Sequence, residues 1–453
     1  MNGLRTQPAQ ARRQVYVPKL DICSNCMLQS SKDGPQLRLC TGCQQAAYCS
    51  EECHRADWRK HKVQCKQTDR IIFDSFYPFL AYIAASFREP YNCAMHPALH
   101  LKVSNKIDIN SQAHPLVHLE ENGPSATPVF LSQDIRGTES WWPLAPSVRS
   151  MEKLWKRIAN EGMLVATLLP ICIALVSEIY TTSAIQPSQN TTPNRCARLN
   201  CCEKPVTDFG IVQGRAFVTG VDRLLYHLTD INYPWHGQDP DDHYRIYIRT
   251  SGNAEWYLDL GMYTFNMACV VDTAPYRKYN LAECSRTVPG YFVDKKWTKP
   301  CGAHSLLFEP KRYMSVLRDP RAHRISLSND FGRESVADIV SMMEEIAGRR
   351  CRMHEIAYAS EFLSLAIKAL RQNMCTRDWV NFSPSPKVDF ETDEDEEGVM
   401  DATPEKEALV RFTNRWAKKV KKGKETREHF SEVAHNLANL PQDVRLKKLG
   451  VQN

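Results

Sequence analysis

The strongest constraint on this chain is a run of seven cysteines and one histidine near its N-terminus. The spacing is C-x2-C-x13-C-x2-C-x5-C-x3-C-x7-H-x3-C. Two tetrahedral zinc ions need eight soft ligands, four for each ion, and the run supplies eight. The predicted ligands are Cys23, Cys26, Cys40, Cys43, Cys49, Cys53, His61 and Cys65. Sites closed by four protein atoms leave no position for water, so we expect both zinc ions to be structural.

The spacing also divides the eight ligands into four pairs. Each C-x2-C pair is typical of a tight turn that brings two sulfur atoms onto one metal. The two later pairs are each four residues apart, which places their side chains on one face of a short helix. The pairs must combine two by two. Spacing alone leaves open whether the sites are interleaved or sequential, with the two C-x2-C pairs sharing one ion.

Residues 48–65, YCSEECHRADWRKHKVQC, add an aromatic and basic context to the last four ligands. This string resembles the MYND zinc finger family, and the matching positions are Tyr48, Cys49, Ser50, Cys53, Trp58, His61, Lys62 and Cys65. The resemblance implies interleaved sites, one on Cys23, Cys26, Cys49 and Cys53, the other on Cys40, Cys43, His61 and Cys65. It also implies a protein-interaction module, because fingers of this family often take short proline-containing peptides along a hydrophobic groove. The resemblance covers the finger only.

Other side chains in the finger have simpler explanations than metal or partner binding. We expect Tyr48 and Trp58 to pack a module too small for a core of its own. His54 follows Cys53 directly and has no ligand spacing, so we do not count it among the ligands. The basic residues of 55–62 are typical of a solvated helix face.

The distribution of cysteine indicates the cellular compartment. The chain has 17 cysteines, seven of them within 23–65, and it begins without an apolar signal sequence. Thiols clustered in this way favour metal binding in a reducing compartment over a disulfide framework. We therefore expect an intracellular protein of the cytoplasm or nucleus, and the sequence leaves its oligomeric state open.

Neither a membrane nor a nucleic acid is expected as a partner. Residues 163–176 are apolar, but the stretch is shorter than the roughly 18–20 residues of a span and contains Pro170, so we predict a buried core helix. The excess of positive charge is local, since residues 1–70 hold 12 Lys and Arg against 6 Asp and Glu. A mildly basic finger on a neutral body does not argue for nucleic acid.

Changes in composition divide the chain and predict an α+β fold, with a small N-terminal two-zinc finger joined to a mixed body. The predicted parts are a flexible arm (1–20), the finger (21–66), an α+β body of unknown function (71–380), an acidic disordered linker (383–402) and a C-terminal amphipathic, basic helix (403–440). Within the body, an apolar pattern predicts a buried helix over 71–87, and helical patterns cover 149–180 and 333–373. Residues 181–205 have the composition of a loop, and strands are predicted at 209–220, 243–250, 254–272 and 290–297.

The body carries no recognised catalytic motif. Some MYND proteins contain a SET methyltransferase domain, but no NHSC-like string and no paired Gly-x-Gly loop ahead of the finger is present. P-loop, G-x-G-x-x-G, G-x-S-x-G and HExxH motifs are also absent from the sequence. The leading hypothesis is a zinc-binding adaptor or scaffold with no catalytic residues. The alternative is an enzyme of unrecognised class whose active site lies within 205–330.

The sequence holds three weaker features. Cys196, Cys201 and Cys202 could join another residue in a third metal site, although reduced thiols in a loop are the favoured interpretation. His236, Asp239, Asp241, Asp242 and His243 offer metal-ligand atoms, but a polar turn is favoured there. Lys418, Lys419, Lys421, Lys422 and Lys424 could serve nuclear import, although the end of a helix favours cations in any case.

Overall fold

A computed structural model describes most of the finger and body and short pieces of the C-terminal part. The residues described are 14–30, 36–63, 65, 67–103, 127–132, 141–143, 145, 147–182, 196–218, 222–228, 233–266, 269–279, 281–298, 308–328, 332–390, 412, 415–416, 419, 425–426, 429, 432–433, 436–437, 440 and 442–449.

The described part of the chain contains helices and strands in mixed order, which confirms the α+β fold. The helices are α1 (Glu51–His61), α2 (Phe73–Met95), α3 (Val148–Ala159), α4 (Leu164–Ile179), α5 (Pro320–Leu327), α6 (Arg333–Ala347), α7 (Met353–Thr376) and α8 (Gln442–Leu449). The first nine strands are β1 (Gln14–Val15), β2 (Arg38–Leu39), β3 (Ala47–Tyr48), β4 (Thr68–Ile72), β5 (Lys102–Val103), β6 (Thr127–Ser132), β7 (Thr181–Thr182), β8 (Cys196–Cys201) and β9 (Lys204–Ala216). The others are β10 (Leu224–Leu228), β11 (Tyr233–His236), β12 (His243–Thr250), β13 (Glu255–Asp259), β14 (Cys269–Asp272), β15 (Thr287–Pro289), β16 (Tyr291–Asp294), β17 (Phe308–Ser315) and β18 (Val388–Phe390).

A seven-stranded mixed sheet forms the framework of the body. Its order is β16-β13-β12-β9-β8-β4, and β17 also pairs with β9. The strand β4 runs parallel to β8, whereas the remaining neighbours are antiparallel. Gly210 permits the close approach of β17, because a Cβ there would lie 2.0 Å from the carbonyl oxygen of Met314.

Helices α2, α4 and α7 share the main apolar core with this sheet: α2 and α4 contact its strands, and α7 packs on α4. Nearly every residue of α4 is buried, as the sequence predicts for 163–176. Each fully buried Leu or Ile contributes about 1.5–3 kcal/mol by leaving water, so this helix is a principal source of stability. None of the described helices is by itself long and apolar enough to cross a membrane, although α3 and α4, bent by 72°, pass such a test together.

The boundaries differ from the predictions in several places. The helix predicted from residue 71 begins at Phe73, because Ile71 and Ile72 belong to β4. The loop predicted over 181–205 is wrong at 196–201, which form β8 and lie between β4 and β9. The strand predicted over 254–272 is interrupted by a 3-10 turn at Met262–Phe265. The pattern over 333–373 resolves into the two helices α6 and α7.

Smaller sheets complete the body. A four-stranded sheet has the order β11-β10-β6-β5, and β1 pairs with β7. In a three-stranded sheet, β18 pairs with β14, so Val388–Phe390 are ordered and the disorder predicted for 383–402 is wrong there. Residues 391–402 and most of the helix predicted over 403–440, including four of the five lysines of its basic cluster, lie outside the described residues.

Candidate metal centre

Two turns of the same construction hold the C-x2-C pairs. In the first, the backbone N–H of Met27 donates to the carbonyl oxygen of Cys23 (2.9 Å). In the second, the N–H of Gln44 donates in the same way to Cys40 (2.7 Å). Met27 and Gln44, each four residues after the first cysteine, have positive φ values of 62° and 50°. In each turn the residue with left-handed backbone conformation reverses the chain. This brings the two thiols of the C-x2-C pair to the same side of the turn.

The helix α1 supplies ligands at its two ends. The Ser50 side chain caps its N-terminus by accepting from the backbone N–H of Cys53 (3.3 Å). Acidic residues occupy its first turn and basic residues its last, which suits the helix dipole. Only Cys53 and His61 lie within the helix, whereas Cys49 precedes the cap and Cys65 follows the last turn.

The eight predicted ligands meet in two groups of four. The groups are Cys23, Cys26, Cys49 and Cys53, and Cys40, Cys43, His61 and Cys65, and within each group the ligand atoms lie within 4.8 Å of one another. This is the interleaved order that the resemblance implies.

Individual distances within each group match a zinc tetrahedron. In the first group, the Sγ atom of Cys49 lies 3.5 Å from those of Cys26 and Cys53. In the second, His61 Nε2 lies 3.3 Å from Cys40 Sγ and 3.4 Å from Cys43 Sγ. The edge of a tetrahedron with Zn–S bonds of about 2.3 Å is roughly 3.8 Å, so both groups fit zinc.

The thiols differ in proton affinity within each group. Although burial opposes it, hydrogen bonds lower the pKa of Cys23 to about 6 and also lower the pKa of Cys40. Hydrogen bonding to the thiols of Cys26 and Cys53 raises the pKa of Cys49 to about 12. Burial and the negative charge of Cys40 raise the pKa of Cys43 to about 12. Thiolates held this close repel one another, and a zinc ion would offset that repulsion and displace the protons. Burial lowers the pKa of His61, which keeps its ring neutral and able to bind metal.

Aromatic side chains pack around the second group. Tyr48 is buried, as the packing role predicts, and its hydroxyl donates to Asp57 (2.8 Å). The centroid of the His54 ring lies 4.7 Å from that of Tyr48, with the two planes tilted by 40°, and His54 lies outside both ligand groups. Trp58 contacts the His61 ring but remains 42% exposed, so only part of it serves packing.

The finger is fixed to the body through residues that the sequence did not single out. The Tyr16 hydroxyl donates to the Gln45 carbonyl oxygen (3.0 Å), and the Tyr16 backbone N–H donates to Tyr180 (2.7 Å). The Asn200 amide on β8 contacts the side chain of Gln44 (3.4 Å). The turn that holds Cys40 and Cys43 is therefore in direct contact with the central sheet.

The structure separates the polar residues of 236–243. Asp239 caps a short 3-10 turn, and Asp241 lies at the surface beside Arg215. His243 is buried in the sheet, where its Nε2 lies 2.7 Å from Asp259. Among the described residues these side chains form no common group of metal-ligand atoms.

The fold and the two ligand groups define a protein with a two-site zinc finger. Residues 23–65 match the family model described as a MYND finger, so the chain carries a MYND finger, and zinc is its cofactor. SET domain-containing protein 14 of Caenorhabditis elegans is a relative with the same finger, 46% identical over 58 residues. The match covers 13% of this chain and 12% of the relative. No solved structure matches the chain significantly.

Proposed function

We propose that this chain is a zinc-dependent adaptor protein whose MYND finger binds other proteins. The eight side chains of the two groups act as ligands of two structural zinc ions. MYND fingers indicate protein–protein interaction in general. The finer parts of the proposal concern the binding surface and the kind of partner.

The observation that carries the proposal is the concentration of exposed apolar side chains on the finger. Eleven large hydrophobic side chains are exposed among the described residues, and four of them lie in the finger. These four are Met27, Leu28, Trp58 and Val63, exposed by 64%, 43%, 42% and 63%. We infer that these four side chains together form the binding surface, because an exposed apolar patch on a folded module marks an interaction site.

Proline-containing peptides are the proposed ligands of this surface. A half-exposed Trp with a fixed ring offers a flat apolar contact at little cost in side-chain entropy. An extended, proline-rich segment loses little freedom when it binds, which suits so small a surface. We propose no nucleic-acid partner, since the net charge of +6 is modest for a chain of 453 residues.

The rival function is an enzyme with a site in 205–330. A cleft among the described residues that touches this region, lined in part by Gln213, Arg312 and Tyr313, has a cavity volume of about 30 Å³. Ligand pockets usually measure about 300–1,000 Å³. The relative's SET domain gives this rival no support, because the match is confined to the finger. We favour the adaptor.

Affinity capture from cell extract tests the proposal, with intact protein as bait beside two variants. Cys49→Ala removes a zinc ligand, and Trp58→Ala removes an exposed apolar contact and leaves all eight ligands in the sequence. Both should lose the same set of proteins. Cys375→Ser, which changes an exposed cysteine on α7, is the matched control and should retain them. Partners retained by both finger variants would exclude the finger as the binding module.

The proposed location is inside the cell, in the cytoplasm or nucleus. A fluorescent reporter fused to residues 403–453 tests nuclear import through the lysine cluster. Nuclear accumulation that is lost when the five lysines are changed to Gln would favour a nuclear adaptor. A reporter spread evenly through the cell would exclude import through this segment.

A further inference from the structure

A second concentration of metal-ligand atoms lies in the body, at the end of the parallel strand pair. The strands β4 and β8 are paired in register up to Ile72 and Asn200. Beyond this point the segment that follows β4 enters α2 with Phe73 and Asp74. The segment of β8 continues to Cys201 and then to Cys202. Parallel strands end on the same edge of a sheet, so the pairing brings Asp74 beside the two cysteines.

The turn that follows β8 holds the second thiol in place. Cys201 pairs with Lys204 on β9, which leaves Cys202 and Glu203 as a two-residue turn. Both turn residues are left-handed, with φ values of 47° and 62°. Turns of this kind usually contain Asn-Gly, which makes a cysteine at the first position unusual. The turn is tied at both ends by the sheet, which holds the two thiols close together.

The ligand atoms of these three residues lie together in one group, as the ligand atoms of each finger group do. The two Sγ atoms and a carboxylate oxygen of Asp74 all lie within 4.8 Å of one another. Cys201 is buried, Asp74 is half-buried and Cys202 is exposed. An ion could therefore enter from solvent on the Cys202 side and keep a fourth position facing outward.

The local electrostatics are those of a site that favours a cation. Cys201 lies beside the thiol of Cys202 and within electrostatic range of the carboxylates of Asp74 and Asp294. Two carboxylates and two thiols therefore lie in one small region, where their negative charge would attract a cation. Oxygen-seeking ions such as Mg²⁺ and Ca²⁺ avoid thiolate, whereas zinc accepts both thiolate and carboxylate.

We propose that Asp74, Cys201 and Cys202 form a third metal site, which takes one Zn²⁺ or a similar thiolate-binding divalent cation. Three protein ligands leave one coordination position open, unlike the closed sites of the finger. The site belongs to the body, and it does not depend on the finger's role in binding proteins.

Equilibrium dialysis of the full chain against metal buffers of increasing free Zn²⁺, with elemental analysis, tests the site. Wild type should bind one more zinc ion per chain than Cys202→Ser or Asp74→Asn. In each variant, the free Zn²⁺ concentration at which this site is half-occupied should rise at least about tenfold. Loss of even an outer-shell partner of a metal ligand usually weakens metal affinity by about that factor. Cys196→Ser, on the same strand but outside the group, should match wild type.

Two further measurements keep the result unambiguous. Cys49→Ala should lose finger zinc and keep the third ion, which separates this site from the finger. The circular dichroism of Cys202→Ser should equal that of wild type, because the side chain is exposed. Equal zinc binding by wild type and Cys202→Ser at every free zinc level would overturn the proposal, as would a Cys201–Cys202 disulfide in the native protein.

Discussion

Cys26 and Cys49, separated by 22 residues of chain, have Sγ atoms 3.5 Å apart. Cys40 and Cys65, which are also distant in sequence, make a similar contact, with their Sγ atoms 3.7 Å apart. Each contact joins a C-x2-C turn to the segment around α1, so the finger is folded by its ligands and not by an apolar core. Zinc binding and folding of this module should therefore be one process.

The first prediction concerns the finger's ligands. Cys53→Ser and His61→Ala should each lower the zinc content by at least one ion per chain relative to wild type. Loss of either ligand should also expose residues 23–65 to protease, because the finger has little else to hold it. Elemental analysis and limited proteolysis measure both effects. Cys375→Ser should leave them unchanged, and unaltered zinc in Cys53→Ser would contradict the ligand assignment.

The second prediction concerns the buried charges of the central sheet. Asp259 is completely buried, and its carboxylate pairs with His243 (2.7 Å) and Arg245 (2.6 Å). Asp259→Asn leaves those two groups without their anion and should cost about 3–5 kcal/mol in the free energy of unfolding. Urea denaturation measures the loss. Asp241→Asn, at a surface carboxylate, is the control and should stay within about 0.5 kcal/mol of wild type.

The third prediction concerns pH. Although burial opposes it, hydrogen bonds from Tyr313, Arg249 and Lys295 lower the pKa of Glu255 from 4.5 to about 2. A folded-state pKa below the unfolded value means that the ionised group stabilises the fold above pH 4.5 and that this contribution disappears as pH falls toward 2. Wild type should therefore exceed Glu255→Gln in unfolding free energy by a constant amount near neutral pH. That difference should shrink in acid, and a pH-independent difference would contradict the assigned ionisation.

The fourth prediction concerns the contact between finger and body. Tyr16→Phe removes the hydroxyl that donates to Gln45 and should cost about 0.5–1.5 kcal/mol. The variant should keep its zinc but show faster amide hydrogen exchange at residues 44–47 than wild type. Tyr91→Phe, which loses a longer hydrogen bond (3.3 Å) in the body, should leave exchange in the finger unchanged. Equal exchange in all three proteins would exclude this anchor.

The sequence predicted the ligands because each one is defined by local spacing. It could not predict that Met27 and Gln44 adopt left-handed conformations, since neither is Gly or Asn. The strand β8 was missed because Arg198 and Asn200 are polar, yet both are buried through contacts with distant parts of the chain. The sequence also gave no indication that Asp74 could be a metal ligand, because only the pairing of β4 with β8 places it beside Cys201.

The most direct test of the account is the affinity of the full chain for a proline-containing peptide taken from a captured partner. Fluorescence anisotropy would give the Kd for wild type, Trp58→Ala and Val148→Ala, after the zinc content of each has been shown to be equal. Val148, an exposed apolar residue on α3, is the matched control. The account predicts that Trp58→Ala raises Kd at least about tenfold while Val148→Ala leaves it unchanged. Equal Kd values for all three proteins would contradict the claim that the finger is the binding surface.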